Sequence, residues 1–75
     1  MNNAPNQKKT LSGTVVEALP DTLFRVQLSE KDGGETILAY LSGRMRLHRI
    51  RVMIGDKVDL EQDQYGGKAR IIKRG

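Results

Sequence analysis

The sequence contains no cysteine and no tryptophan, and it has a single histidine, His48. The absence of cysteine excludes disulfide bonds, thiolate metal sites and cysteine nucleophiles, and it argues against a small secreted domain. One histidine cannot build a histidine-rich metal cluster. No apolar run approaches the roughly 20 residues that a membrane-spanning helix needs, and the N-terminus lacks a signal-peptide core. We therefore expect a cytoplasmic protein without a membrane partner.

Aromatic residues are also scarce, being limited to Phe24, Tyr40 and Tyr65. Single-strand binders of the cold-shock type stack bases on clustered exposed aromatics, so this scarcity indicates that stacking is not the main binding mode. Phe24 shares a strand face with Val26 and Leu28, and it is expected in the core. Tyr40 fits either a core edge or a stacking platform, and Tyr65 beside two glycines indicates a turn.

No catalytic constellation is recognisable in the sequence. No two carboxylates are arranged as a recognisable catalytic pair. His48 lies between Leu47 and Arg49, and no neighbouring residues suggest a catalytic triad or a metal site. Gly66-Gly67-Lys68 lacks the remainder of a phosphate-binding loop. We therefore expect a non-enzymatic protein without catalytic residues, metal or cofactor.

Positive charge is concentrated in one segment of this 75-residue chain, whose net charge is +4. Residues 42–51, here called the arginine segment, hold four arginines and the histidine. Arginine stays protonated near neutral pH, and its planar fork of donors matches phosphate geometry. The segment therefore predicts RNA or DNA binding, with a solvated basic turn as the alternative.

Short β-branched segments separated by turns predict a single small β domain preceded by a disordered polar tail. The tail covers residues 1–10 and the domain 11–75, with strands at 11–19, 23–29, 35–41, 57–62 and 69–73. Gly13 predicts a bulge or bend that lets one strand serve two halves of a barrel, and residues 31–34 predict a hairpin. Ser42 is expected to cap a short helical turn at residues 44–47, and residues 50–54 suggest a brief extended stretch.

Five strands with a longer connection between the third and fourth are typical of the OB-fold, an all-β Greek-key barrel. Barrel closure would remove the sheet edges that so short a chain cannot otherwise protect. An SH3-like barrel is the competing architecture. Within the arginine segment, Met45 and Leu47 are expected to anchor the loop to the barrel, although a contact with a base or sugar is the alternative.

Four sequence segments resemble the signatures of one family, in matching order and spacing. Residues 19–26 (LPDTLFRV) resemble its L-P-N-x-x-F-R-V, and residues 41–46 (LSGRMR) resemble its I-S-G-K-M-R. Residues 50–52 and 55–58 resemble I-R-I followed by G-D-x-V, and the end of the chain resembles the closing segment more loosely. From about Leu11 to Arg74 the chain is similar to the bacterial translation initiation factor 1 family, as a divergent member.

This resemblance implies a monomer that binds small ribosomal subunit RNA and nearby ribosomal proteins at the decoding A site. It implies that the factor blocks premature tRNA access, displaces two adenines and assists initiation factors 2 and 3. Matching positions give Arg25, Arg44, Met45, Arg46 and Arg51 as RNA contacts, with Ser42 and Gly43 shaping the loop. The complete candidate set adds the basic or aromatic residues Tyr40, His48, Arg49, Lys68 and Arg70.

Two other functions compete with this one. A general single-stranded RNA chaperone of the cold-shock class would use a similar barrel, but the few aromatics disfavour it. A structural barrel of a larger assembly, such as a ribosomal protein, would remain bound through high-salt washes, whereas a factor would dissociate.

Overall fold

The computed structural model describes residues 9–62 and 68–75. Tyr65 and residues 1–8 of the predicted tail lie outside the described residues. The described elements are β1 (Lys9–Leu19), β2 (Leu23–Leu28), a 3-10 helix (Glu30–Asp32), β3 (Thr36–Leu41), α1 (Gly43–Leu47), β4 (Lys57–Gln62) and β5 (Ala69–Arg74). β1 thus begins two residues before the expected start of the domain. None of the helices in these residues is long and apolar enough to cross a membrane.

The five described strands form a closed barrel in the order β1-β2-β3-β5-β4. Every neighbouring pair is antiparallel except β3 and β5, which run parallel with Ala39 opposite Ala69 and Leu41 opposite Ile71. A parallel pair needs a crossover connection, and the chain supplies it through α1, the following loop and β4. This is the five-stranded Greek-key barrel of the OB-fold, so the predicted fold is confirmed over its SH3-like competitor.

β1 pairs with two strands, as the sequence predicted. Its first half, residues 9–14, pairs with β4, and its second half, residues 13–19, pairs with β2. Of the two alternatives predicted at Gly13, a bulge or a bend, the bulge is not found there, because the register shift against β2 lies between Val15 and Glu17. Gly13 instead allows β1 to lie close to β2, because a Cβ at this position would be only 2.6 Å from the carbonyl oxygen of Gln27.

The core follows the alternation of side chains along the strands. Phe24, Val26 and Leu28 on β2 are buried, and Arg25 and Gln27 between them are exposed. The core position predicted for Phe24 is therefore confirmed. The remaining buried apolar residues are Leu11, Val15, Ala39, Met45, Val58, Leu60, Ala69 and Ile71. Met45 alone in this set comes from α1, so the helix is attached to the barrel through the core.

Two connections shape the ends of the barrel. The hairpin between β2 and β3 is confirmed, and its 3-10 helix ends at Gly33, whose φ of 105° is a left-handed conformation that suits glycine. The brief extended stretch predicted at residues 50–54 lies in the connection before β4 and pairs with no strand. Ile50 and Val52 are half-buried against the core, which explains their alternation with exposed neighbours without any strand pairing.

Candidate nucleic-acid interface

The start of α1 is fixed by Ser42. Its side-chain Oγ accepts a hydrogen bond from the backbone N–H of Met45 at 3.2 Å, as a helix N-cap does, and this confirms the predicted cap. The backbone N–H of Ser42 donates to the carbonyl oxygen of Ile71 at 3.0 Å. The arginine segment therefore begins at a position that is bonded directly to β5.

The end of α1 has the hydrogen-bond pattern of a Schellman motif. The N–H of Ile50 donates to the carbonyl of Met45 at 3.0 Å, and the N–H of Arg49 donates to that of Arg46 at 3.1 Å. Arg49 occupies the position that is usually glycine, with a φ of 53°. A side chain in this left-handed conformation costs about 1–2 kcal/mol. The helix ends there, and Arg49 and Arg51 in the connection that follows line the same groove as Arg46 of the helix.

Met45 is the anchor of the segment and not an exposed contact residue. Its side chain is 1% exposed, and half-buried Ile50 packs against the same core, which is the apolar contact typical of this helix end. Burial of this extent favours the anchoring role over the RNA contact that was predicted for Met45. Ser42 is also buried, so its role is the cap rather than a direct contact.

The arginines of the segment carry a positive charge that no carboxylate in the described part of the chain pairs with. Arg44, Arg46, Arg49 and Arg51 are all exposed, and so is His48. Within residues 9–62 and 68–75, none of these four arginines forms an ion pair. Because their guanidinium groups have no carboxylate partner in the described part of the chain, they are available to an external anion.

Three of these arginines line an open groove of about 500 Å³. Arg46, Arg49 and Arg51 meet apolar groups there, contributed by residues such as Ile50 and Met53. The loop is held by β5, because Nη1 of Arg74 donates to the carbonyl oxygen of Arg51 at 2.9 Å. Sequence reasoning missed Arg74, since its partner is distant in the chain and no local pattern marks a contact to a backbone carbonyl.

Tyr40 and Arg70 lie side by side on the outer surface of the barrel. Tyr40 on β3 is opposite Arg70 on β5, and its side chain is 36% exposed, which favours a surface position over the core edge. Nη2 of Arg70 lies 2.9 Å from Oε1 of Glu61 in a partly exposed ion pair. Lys68 is exposed immediately before β5. β3 and β5, which carry Tyr40 and Arg70, both contact α1.

Arg25 is also exposed; it lies opposite Leu38 of β3, two register positions from Tyr40. Its Nε lies 2.9 Å from Oε1 of Glu17, in a pair whose side chains are about half exposed. Exposed ion pairs contribute little stability, so the guanidinium can exchange its carboxylate for a phosphate at small cost. Arg25 and Arg70 thus differ from the arginine segment, where the cations have no internal partner among the described residues.

The structure contradicts one further expectation for the segment. Leu47 was expected to anchor the loop together with Met45, but its side chain is 77% exposed. A helix of only five residues presents one side to the barrel, and Met45 occupies that side. Leu47 therefore projects into solvent among the basic side chains.

The closed five-stranded barrel places the protein in the OB-fold class. A family model described as "eIF-1a: Translation initiation factor 1A / IF-1" matches residues 2–75. The chain belongs to this family.

Sequence and structural similarity to known proteins supports this family membership. The chain is 48% identical over 65 residues to translation initiation factor IF-1 of Rhodospirillum rubrum, covering 85% of this chain and 65% of that relative's length. The solution structure of the translation initiation factor IF-1 from the Wolbachia endosymbiont of Brugia malayi is similar with a TM-score of 0.73 and 37% identity, over 91% of this chain and 78% of that one. The crystal structure of YjeQ from Thermotoga maritima has a TM-score of 0.72 and 27% identity, over 89% of this chain and 23% of that chain.

Proposed function

We propose that this chain is a non-enzymatic translation initiation factor that binds the decoding A site of the small ribosomal subunit. It acts as a cytoplasmic monomer, blocks premature tRNA access and assists initiation factors 2 and 3. Its partners are the RNA of the small subunit and the ribosomal proteins nearby. Membership of the family supports this function, and the arginine segment is the site that we assign to it.

One observation carries the proposal: four exposed arginines project from a short segment that is fixed at both ends. Ser42 and Arg49 define the two ends of α1, Met45 fastens it to the core, and Arg74 holds the loop that follows. Because these contacts exist before binding, the backbone that carries the arginines loses little conformational freedom when the segment meets RNA. Such a surface suits recognition of RNA backbone and shape.

The rival function, a general single-stranded RNA chaperone, depends on stacking. Phe24 is 8% exposed, and Tyr40 is the exposed aromatic residue in the described part of the chain. One partly exposed ring cannot form the row of stacking platforms that such proteins use. The geometry therefore favours a factor that binds through arginine contacts to phosphate and sugar.

Co-sedimentation with isolated small ribosomal subunits across a salt series tests the proposal. We expect saturable one-to-one binding, with a slope of log affinity against log salt of roughly −3 if all four arginines contact phosphates. Arg46→Glu should weaken binding and flatten this slope. Lys31→Glu is the matched control, because it reverses one exposed charge on the 3-10 helix, away from α1.

Two results would contradict the proposal. The first is binding that does not saturate and is equally strong for any single-stranded RNA, which is the behaviour of a chaperone. The second is an equal loss of affinity in Arg46→Glu and Lys31→Glu, which would mean that only net charge matters.

A further inference from the structure

We propose that Gly43 and Leu47 form an apolar contact face on α1 that packs against ribose and base edges of the bound RNA. This inference rests on the proposed function and assigns to the same site a contribution that is not ionic. The arginines would provide salt-dependent attraction, and the Gly43–Leu47 face would provide salt-independent affinity.

The exposure of Leu47 is the first observation. Its side chain is 77% exposed in a chain whose other strand and helix leucines are mostly buried or half-buried. It projects from a helix that is held at both ends, so it cannot turn inward without breaking the cap or the Schellman motif. A large apolar group held in solvent gains free energy when a partner covers it.

Gly43 is the second and independent observation. It lies one helical turn before Leu47, so the two residues share a face of α1. A Cβ at position 43 would have nothing within 4 Å, and the backbone there is not in a left-handed conformation. The fold therefore gives no reason for glycine at a helical position, where alanine is more favourable. Bare backbone beside Leu47 allows an external group to approach closely.

The charges around this face select the partner. Arg44, Arg46 and His48 are exposed and border Gly43 and Leu47 along the helix. A purely apolar protein surface would leave these cations without counterions, whereas RNA offers phosphates beside apolar ribose carbons and base edges. In A-form RNA the wide, shallow minor groove displays base edges and ribose 2′-hydroxyls. Minor-groove DNA-binding proteins likewise place apolar side chains such as leucine against base steps.

The test is the salt series with small subunits, applied to Leu47→Ala and Gly43→Ala. An apolar contact shifts log affinity by the same amount at every salt concentration, so both variants should keep the slope of the parent. We expect a loss on the order of tenfold for Leu47→Ala and at least about fivefold for Gly43→Ala. Ile54→Ala is the matched control, because Ile54 is 65% exposed but lies in the loop before β4.

Melting temperatures accompany the binding curves, and neither variant should melt below the parent. If Leu47→Ala or Gly43→Ala binds as tightly as Ile54→Ala, the contact face is overturned while the proposed function stands. A variant that changes the slope instead of the intercept would also overturn it, because the contact would then be ionic. If the parent itself does not bind small subunits, the proposed function fails and this inference fails with it.

Discussion

Replacement of Arg49 by glycine should make the protein more stable and a weaker RNA binder at the same time. Arg49 ends α1 in a left-handed conformation, with a φ of 53°, and its side chain is exposed. The hydrogen bonds of this turn use only backbone atoms, from Arg49 to Arg46 and from Ile50 to Met45, so glycine retains all of them. The substitution removes the Cβ that opposes the conformation and the charge that we assign to RNA.

Two opposing contributions set the size of the effect on stability. Relief of the left-handed conformation contributes about 1–2 kcal/mol. Glycine also gives the unfolded chain more freedom, which offsets roughly 0.4–1 kcal/mol of that gain. The difference spans about 0–1.6 kcal/mol, and its midpoint of about 0.8 kcal/mol raises the melting temperature of a domain of this size by roughly 3–6 °C.

Thermal unfolding followed by circular dichroism, together with the salt series on small subunits, measures both effects. Arg49→Gly should melt at a higher temperature than the parent. The slope of log affinity against log salt should become less negative by about 0.7–0.9, because one phosphate contact is lost. Arg49→Ala is the control, since it removes the same charge but keeps the Cβ, so it should bind like Arg49→Gly without melting higher. A melting temperature of Arg49→Gly below that of the parent would refute the reasoning on the helix end.

Three further substitutions test the parts that position the arginine segment. Met45→Ala should lower the free energy of unfolding by about 2–5 kcal/mol in a urea titration, because the side chain is 1% exposed; parent-like stability would exclude it as the anchor. Gly13→Ala should also destabilise the barrel, since its Cβ would lie 2.6 Å from the carbonyl oxygen of Gln27, and an unchanged urea midpoint would contradict that close contact. Ser42→Ala should lose about 0.5–2 kcal/mol through the missing bond to the N–H of Met45, whereas Ser42→Asp should retain most of the stability if capping is the cause.

The barrel was largely predictable from the sequence because strand alternation is a local signal. The residues from Lys57 to Gln62 alternate in a short run between turns, and β4 has those bounds. Residues 50–54 show a similar alternation of apolar and polar residues in the sequence, but its origin is different. Ile50 and Val52 pack on the core from a loop that pairs with no strand. Alternation shows which side chains are covered, and it does not show whether the backbone has a partner.

The site was predictable in its composition and less so in its geometry. The exposed arginines follow from charge alone, but the opposite positions of Met45 and Leu47 do not. A helix of five residues is too short for a periodic pattern, so its orientation depends on the Ser42 cap and on the Schellman motif. The strain at Arg49 and the bond from Arg74 to the Arg51 carbonyl arise from tertiary structure, which the local sequence does not encode.

The double pairing of β1 has a consequence for the order of folding. Leu19 meets Leu23 across a tight turn, whereas Lys9 meets Gln62 near the other end of the chain. Closing the long loop costs more entropy than closing the short one, so the β1–β2 hairpin should form early and the β1–β4 pairing late. In hydrogen exchange during refolding, amides on the two sides of Gly13 should then become protected at different times, although they belong to one continuous strand.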